Sequence, residues 1–144
     1  MRPALIPEFA VTDWRASRAF YCDLIGFSVD YERPEDGFSM LQLGSARLMI
    51  DQIGVGRTFG DGHLPDAYPF GRGLNVQIEV PDVDVILARL ESAGRDLYLP
   101  LEDRWYRNDE TELGNRQFVV ADPDGYLLRL FQHIGVRPAD AWTP

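Results

Sequence analysis

Several residue types that define large classes of protein are scarce in this sequence. It has a single cysteine, Cys22, which excludes an internal disulfide. Its 23 acidic residues outnumber its 14 basic ones, and the net charge of −9 argues against nucleic-acid phosphates and anionic lipids as partners. A cationic or neutral small molecule fits this charge better, unless the charge serves only to keep the protein soluble.

Long hydrophobic runs are also missing. The N-terminal stretch MRPALIPEFAVTDW lacks the continuous apolar segment of a signal peptide, and no later segment approaches the length needed to cross a bilayer. We therefore expect a cytoplasmic protein with no membrane partner, which a lone cysteine also fits. With 144 residues, of which 45% are hydrophobic, the chain is expected to form one domain over residues 1–144.

Residues and motifs used in catalysis are few. The two histidines, His63 and His133, lie in the central part of the chain and near its C-terminus, so no pair of strand histidines exists for a site with two histidines and one carboxylate. No nucleophile elbow, phosphate-binding loop or dinucleotide-binding glycine pattern is present. The sequence therefore offers no catalytic residue.

One structural pattern, in contrast, occurs twice. In the first copy a helix begins after Asp13 and ends at Gly26, among the strands ALIPEFAV, FSVDYE, FSMLQL and ARLMID. In the second copy the helix begins after Asp82 and ends at Gly94, among the strands LNVQIEV, DLYLPL, RQFVVA and YLLRLF. Asp82 lies 69 positions after Asp13, and Gly94 lies 68 positions after Gly26. Such a near-constant offset indicates a duplication.

The two half-copies, about 1–53 and 74–134, predict an α+β fold with two βαβββ repeats. Along the strand LNVQIEV, apolar residues alternate with polar ones, so one face of the sheet needs a cover of helices and the other does not. We expect curved sheets that form a half-barrel, with helices on the convex side and a ligand groove on the concave side. The connector at 54–73 has a length that is typical of functional or disordered loops.

An arginine interrupts an apolar stripe in the last strand. The stretch VVADPDGYLLRLFQ is typical of a hairpin, because Asp-Pro-Asp-Gly suits a tight turn. Side chains alternate faces in a strand, so Arg129 lies between Leu127 and Phe131 on one face. Either Arg129 points into the groove and contacts a ligand, or it forms a salt bridge with Asp51 or Glu79 that holds the sheet.

Aromatic side chains supply further candidates for ligand contact. Trp105 and Tyr106 lie in LEDRWYRNDETELG, an acidic stretch expected to be a loop between two strands. Aromatic rings stack on planar cations and carboxylates attract them, although packing under the loop is an alternative for Trp105. If the hairpins have the registers that their turns imply, Phe38 and Phe118 share the face of Arg129 and form the floor of the groove.

The two β-α-β-β-β units, with AVTDWRASRAFYCDLIGF near the start and VADPDGYLLRLFQ near the end, resemble the vicinal oxygen chelate superfamily. It includes glyoxalase I, extradiol dioxygenases, fosfomycin-resistance enzymes and bleomycin-resistance proteins. For its enzymes the resemblance implies metal ligands on the first and last strands of each half-copy. These positions fall here on Ile6, Asn75, Arg129 and either Met49 or Asp51. Arginine cannot ligate a metal and, apart from Asp51, nothing there suits one, so we expect neither a metal nor another cofactor.

Within this superfamily, the sequence resembles the metal-free bleomycin-resistance proteins most. That resemblance implies a protein that sequesters a cationic glycopeptide or another planar aromatic compound and catalyses nothing. It also implies a homodimer, which Pro7 in the first strand fits because proline suits an edge or exchanged strand. We expect the ligand to contact Phe38, Met49, Asp51, Asn75, Trp105, Tyr106, Phe118 and Arg129.

The alternative function is that of a metal-dependent enzyme of the glyoxalase or dioxygenase type with displaced ligands. Asp51, Glu79 or Glu8 would then bind the metal together with His63. A purely structural module, whose groove is filled by its own side chains, is a third possibility. The two main alternatives differ in one property: the enzyme would require a bound metal ion for activity, and the binding protein would not require one to bind its ligand.

Overall fold

The computed structural model describes residues 2–140, so Met1 and residues 141–144, which include the expected C-terminal limit of the domain, lie outside the described part. The first β-α-β-β-β unit begins with a strand and a helix whose last turns are π-helical. Its elements are β1 (Glu8–Val11), α1 (Trp14–Ala19, continued by a π-helical segment at Phe20–Ile25), β2 (Ser28–Arg33), a 3-10 turn at Pro34–Asp36, β3 (Phe38–Leu43) and β4 (Ala46–Gln52).

The second unit repeats this order after a connector without strand or helix. Its elements are β5 (Asn75–Glu79), α2 (Val83–Ser92), β6 (Leu99–Asn108), β7 (Thr111–Ala121) and β8 (Leu127–Pro138). The predicted α+β fold with two βαβββ repeats is therefore confirmed. Within residues 2–140 neither helix is long and apolar enough to span a bilayer.

Each repeat forms its own four-stranded sheet. The strand orders are β1-β4-β3-β2 and β5-β8-β7-β6, with β1 parallel to β4 and β5 parallel to β8. Glu8 pairs with Met49, and Gln77, 69 positions after Glu8, pairs with Arg129. Met49 is therefore the counterpart of Arg129 in the repeat, and Asp51 lies one step further along the same face of β4.

One face of each sheet is covered by the helices and forms the core. The buried side of α2 carries Val83, Ile86 and Leu90, which pack in one cluster with alternating strand residues such as Phe9 and Leu128. The strand residues between these point to the opposite side, which we call the open face. The open face of the first sheet carries Glu8, Ala10, Phe38, Met49 and Asp51, and that of the second carries Asn75, Gln77, Glu79, Gln117 and Arg129.

Phe118 lies on the helix-covered side, so its expected place on the face of Arg129 is wrong. It pairs with Leu130, whereas Val119 pairs with Arg129. The Phe118 side chain is fully buried in the core. The turn between β7 and β8 sets this alternation, because a shift of one residue in register moves every side chain of a strand to the other face.

The acidic stretch around Trp105 and Tyr106 is expected from the sequence to be a loop. In the structure it is part of a long hairpin. β6 and β7 continue until a two-residue turn at Asp109 and Glu110. Ion pairs join neighbouring strands here, Arg116 to Asp103 at 3.0 Å and Arg137 to Glu112 at 2.8 Å. Cross-strand pairing of opposite charges thus favours strands in a segment whose polar composition is typical of a loop.

One turn of the second repeat is bonded to the first repeat. Asp122 Oδ2 accepts a 2.6 Å hydrogen bond from the Tyr21 hydroxyl, and Asp122 Oδ1 accepts bonds of 2.9 Å from the backbone N–H groups of Asp124 and Tyr126. Burial raises the pKa of Asp122 to about 6, although these hydrogen bonds lower it. Asp124 Oδ1 in turn accepts a 2.6 Å bond from the Thr12 hydroxyl. The turn therefore joins the two repeats through buried polar contacts.

Replacing Asp122 with Asn is expected to remove a pH dependence of stability. Between the ordinary pKa of 3.8 and the folded value of about 6, the folded protein binds more protons than the unfolded chain, so its free energy of unfolding falls as the pH rises. The full fall is on the order of 3 kcal/mol. Urea unfolding at a series of pH values measures it. In Asp122→Asn the free energy of unfolding should no longer fall over this pH range, whereas Asp96→Asn, at an exposed position, should behave as wild type. The same pH dependence in both variants would contradict the assignment of the effect to Asp122.

Candidate functional site

On the open face of the second sheet, one tyrosine hydroxyl joins two polar side chains from neighbouring strands. Tyr106 Oη accepts hydrogen bonds from Gln117 Nε2 at 2.7 Å and from Arg129 Nη1 at 3.3 Å. Gln117 Nε2 also donates to Glu102 Oε1 at 3.0 Å, which orients the amide. Within residues 2–140, the buried atoms Gln117 Oε1 and Arg129 Nε have no hydrogen-bond partner. Because buried polar groups are nearly always paired, these two atoms mark the cluster as a candidate site.

A cavity of about 420 Å³ opens beside this cluster. Its lining includes Gln77, Glu79, Tyr106, Arg129, Phe131 and His133. In the described part of the chain, Arg129 forms no ion pair with Asp51 or Glu79, and Tyr106 is its hydrogen-bond partner. The interpretation of Arg129 as half of a salt bridge that holds the sheet is therefore wrong for this chain.

Trp105 lies on the other face of β6 from Tyr106. Its ring packs over the cross-strand pair of Gly114 and Gly135, and a Cβ at Gly114 would lie 2.8 Å from the indole. The Arg137 guanidinium covers the ring at 4.2 Å from its centroid. Adjacent residues of a strand point to opposite faces, so the structure does not bring Trp105 together with Tyr106.

On the open face of the first sheet, Asp51 is a buried acidic residue. Asp51 is 9% exposed, and its Oδ1 has no hydrogen-bond partner among the described residues. Burial raises the pKa of Asp51, as do the charges of Glu8 and Asp36, whereas Arg33 lowers it. Phe38 pairs with Asp51 across β3 and β4, so the phenyl ring and the carboxylate are neighbours on this face.

The connector between the repeats forms the outer wall of this second site. A cavity of about 260 Å³ lies between Asp51 and the connector residues Arg57 and Phe59, and a cavity of about 600 Å³ adjoins it. Three predicted site residues line the larger cavity, Phe38, Met49 and Asp51. The sequence indicated a functional or disordered connector, but without periodicity it could not indicate which of its residues face the sheet.

Asn75 lines neither the cavity at Tyr106 nor the cavities at Asp51. It is the exposed first residue of β5 and lines a further cavity, of about 430 Å³, whose wall includes Tyr68 and Tyr98. The structure therefore does not bring Asn75 together with Tyr106 or Asp51.

The side chains on the open faces do not fit the metal centre that the resemblance implies for enzymes. The repeat register assigns the last-strand positions to Met49 and Arg129, a soft thioether and a permanent cation. Glu8, Asp51 and His63 line one cavity. Within residues 2–140, however, no three side chains of His, Cys, Asp or Glu are grouped closely enough to hold a metal ion.

The sequence matches a known family over most of its length. Residues 6–130 match the Glyoxalase/Bleomycin resistance protein/Dioxygenase superfamily. The chain is 31% identical over 137 residues to the bleomycin resistance protein of Geobacillus stearothermophilus, a match that covers 90% of this chain and 96% of that protein. The bleomycin resistance protein of Staphylococcus aureus matches to the same extent.

Solved structures share the fold at lower sequence identity. TioX from Micromonospora sp. ML1 aligns with a TM-score of 0.69 and 24% identity, covering 92% of this chain and 99% of TioX. TnmS3, an antibiotic binding protein from Streptomyces sp. CB03234, aligns with a TM-score of 0.56 and 20% identity, covering 93% of this chain and 98% of TnmS3. At these identities the likeness concerns the fold alone.

Removal of the Tyr106 hydroxyl is expected to destabilise the cluster on the second sheet. Tyr106→Phe deprives Gln117 and Arg129 of their shared acceptor, which should lower the free energy of unfolding by about 1 kcal/mol. Tyr98→Phe, at a tyrosine that is 71% exposed, is the matched control and should change stability less. If urea unfolding shows that both variants lower the free energy of unfolding equally, the Tyr106 hydroxyl does not stabilise the cluster.

Proposed function

The chain belongs to the Glyoxalase/Bleomycin resistance protein/Dioxygenase superfamily, and we propose that within it the protein is a metal-independent small-molecule binder of the bleomycin-resistance kind. It holds a cationic glycopeptide or another planar aromatic compound on the open faces of its sheets and releases it unchanged. The 31% identity to bleomycin resistance proteins supports this choice among the activities of the superfamily. We place the protein in the cytoplasm, where its one cysteine stays reduced.

The main support for this proposal comes from buried polar atoms that have no hydrogen-bond partner. Four side-chain atoms in residues 2–140 are of this kind and, apart from Ser17 Oγ, they belong to the open faces: Asp51 Oδ1, Gln117 Oε1 and Arg129 Nε. An unpaired buried polar group costs about 1–3 kcal/mol, so folded proteins seldom retain one without a use. Asp51 and Arg129 each line a cavity, where the polar groups of a ligand could complete their hydrogen bonds.

The side chains at these positions support binding better than metal catalysis. The guanidinium of Arg129 occupies a position where an enzyme of the superfamily would need a metal ligand, and its positive charge repels a metal ion. The competing function, a metal-dependent enzyme, draws its support from the one cavity that Glu8, Asp51 and His63 share. The proposed binding protein needs none of these side chains to ligate a metal ion or to react.

Calorimetric titration with metal-free and copper-loaded bleomycin tests the proposal. We expect saturation near one drug per chain, the same affinity with and without a chelator, and recovery of the drug with its mass unchanged. Elemental analysis of the purified protein is the control for a resident metal. The proposal fails if neither form of bleomycin releases heat at high micromolar concentration, if a transition metal is present near one per chain, or if the drug is chemically altered.

We also propose that two chains associate as a homodimer. Each sheet is unclosed and ends in edge strands, β1 and β2 in the first sheet and β5 and β6 in the second, and such edges favour pairing with another chain unless they are covered. The end of β8 adds apolar surface, since Val136 is 58% exposed and Ile134 is 37% exposed.

Light scattering at micromolar concentration checks the homodimer. The expected mass is twice the 16.4 kDa of one chain. Val136→Lys, which places a charge on this apolar surface, should shift the mass towards that of one chain if β8 takes part. A wild-type protein that scatters as a single chain would contradict the proposal.

A further inference from the structure

Asp51 places a carboxylate without a counter-ion at the bottom of the cavity beneath the connector. Within residues 2–140 it forms no ion pair, and its Oδ1 accepts no hydrogen bond. The connector lies directly against it, since a Cβ at Gly56 would lie only 3.0 Å from Asp51 Oδ1. A charge on a buried and unpaired side chain is costly, and a cation that binds beside it offsets part of that cost.

Two of the three charged groups that act on the Asp51 carboxyl, Glu8 and Asp36, are negative. Glu8, in β1, lies on the same open face as Asp51. It pairs with Met49, which lies two residues before Asp51 in β4. Arg33 is the cation that acts on the Asp51 carboxyl, but its Nε is bonded to Asp36 Oδ2 at 3.1 Å. Arg57 and Arg72 also line the cavity, and neither is among the groups that act on that carboxyl. Arg72 donates instead to the backbone carbonyls of Pro69 and Ala67.

The aromatic side chains of this face show which shape of cation fits. The Arg33 guanidinium already stacks over the ring of Phe38, at 4.0 Å from its centroid. Tyr31 lies 6.0 Å from Phe38, and Phe59 of the connector is 60% exposed at the mouth of both cavities. Since Arg33 already covers Phe38, a flat cation of the ligand can stack on the exposed ring of Phe59 while its N–H groups point to the carboxylate.

In the other acidic region of the chain, LEDRWYRNDETELG, most carboxylates have internal partners. Three of its five are bonded across the strands, Glu102 to Gln117, Asp103 to Arg116 and Glu112 to Arg137. The sequence favoured this region for the attraction of a cationic ligand, but paired carboxylates attract a further cation less than a free one does.

We propose that Asp51, with Glu8 beside it, receives a planar organic cation, an amidinium or guanidinium group of the ligand, in the cavity between the first sheet and the connector. This rests on the proposed function and names the part of the ligand that the first sheet recognises. The Tyr106, Gln117 and Arg129 cluster on the second sheet is not part of this cation site.

Benzamidine and benzamide form a matched pair of probes, since both are planar and aromatic and only benzamidine is charged. Amide chemical shifts in ¹H–¹⁵N spectra, recorded during titration at millimolar concentrations, locate the binding of each probe. We expect benzamidine to shift the amides of Asp51, its strand partner Ala10 and the connector near Gly56, and benzamide to leave them in place. Asp51→Asn should weaken benzamidine binding by about tenfold or more. Asp30→Asn, which removes an exposed carboxylate from the same sheet, should not weaken it.

The outcomes separate this inference from the proposed function. Four results would each overturn the cation site: benzamidine binds elsewhere, benzamide binds equally well, neither probe binds, or Asp51→Asn and wild type bind benzamidine with equal affinity. If bleomycin binds the wild type and Asp51→Asn equally well, drug binding stands and the cation site fails. If benzamidine binds at Asp51 and no bleomycin binds, the cation site stands and the proposed drug is wrong. Asp51→Asn should remain folded, because it removes an unpaired buried charge, and thermal unfolding verifies this.

Discussion

The buried carboxylate of Asp122 lies at the centre of a group of contacts that join the two repeats. It accepts hydrogen bonds from the Tyr21 hydroxyl of the first repeat and from two backbone N–H groups of its own turn. The same turn stacks the ring of Tyr126 on Phe9, at 4.1 Å between centroids, and bonds the Tyr126 hydroxyl to the carbonyl of Ala10 in β1. Since Phe70 N–H bonds to the carbonyl of Asp124, the connector is attached there as well. The first sheet and the connector, which form the two walls of the cavity at Asp51, are thus both attached to this turn.

The duplicated scaffold presents different chemistry in its two halves. Met49 and Arg129 occupy the same place in the repeat, and so do Asp51 and Phe131, because their strand partners lie 69 positions apart. One open face therefore has a free carboxylate next to aromatic rings, and the other has a guanidinium held by Tyr106. The duplication therefore supplies two different polar faces and not two copies of one set of side chains.

Local chemistry explains which parts of the fold could be predicted from the sequence. Asp13 and Asp82 cap their helices and Gly26 takes a positive φ of 107°, and each of these features depends on a few adjacent residues. The side of the sheet on which Phe118 lies could not be predicted, because it depends on the parity of the β7–β8 register. Nor could the place of the Trp105 ring, which depends on two glycines from other strands. For the candidate site, the sequence indicated Asp51 and Arg129 as unusual residues, but their lack of partners emerges only from the tertiary packing.

A crystal structure of the protein with metal-free bleomycin tests most directly the claim that it binds a cationic compound on its open faces without a metal. We expect the drug to lie against the open faces, with a cationic group within about 4 Å of the Asp51 carboxylate and polar groups at Gln117 and Arg129. No metal ion should join the drug to a protein side chain. A metal coordinated by Glu8, Asp51 or His63, or a drug molecule bound away from both open faces, would contradict it.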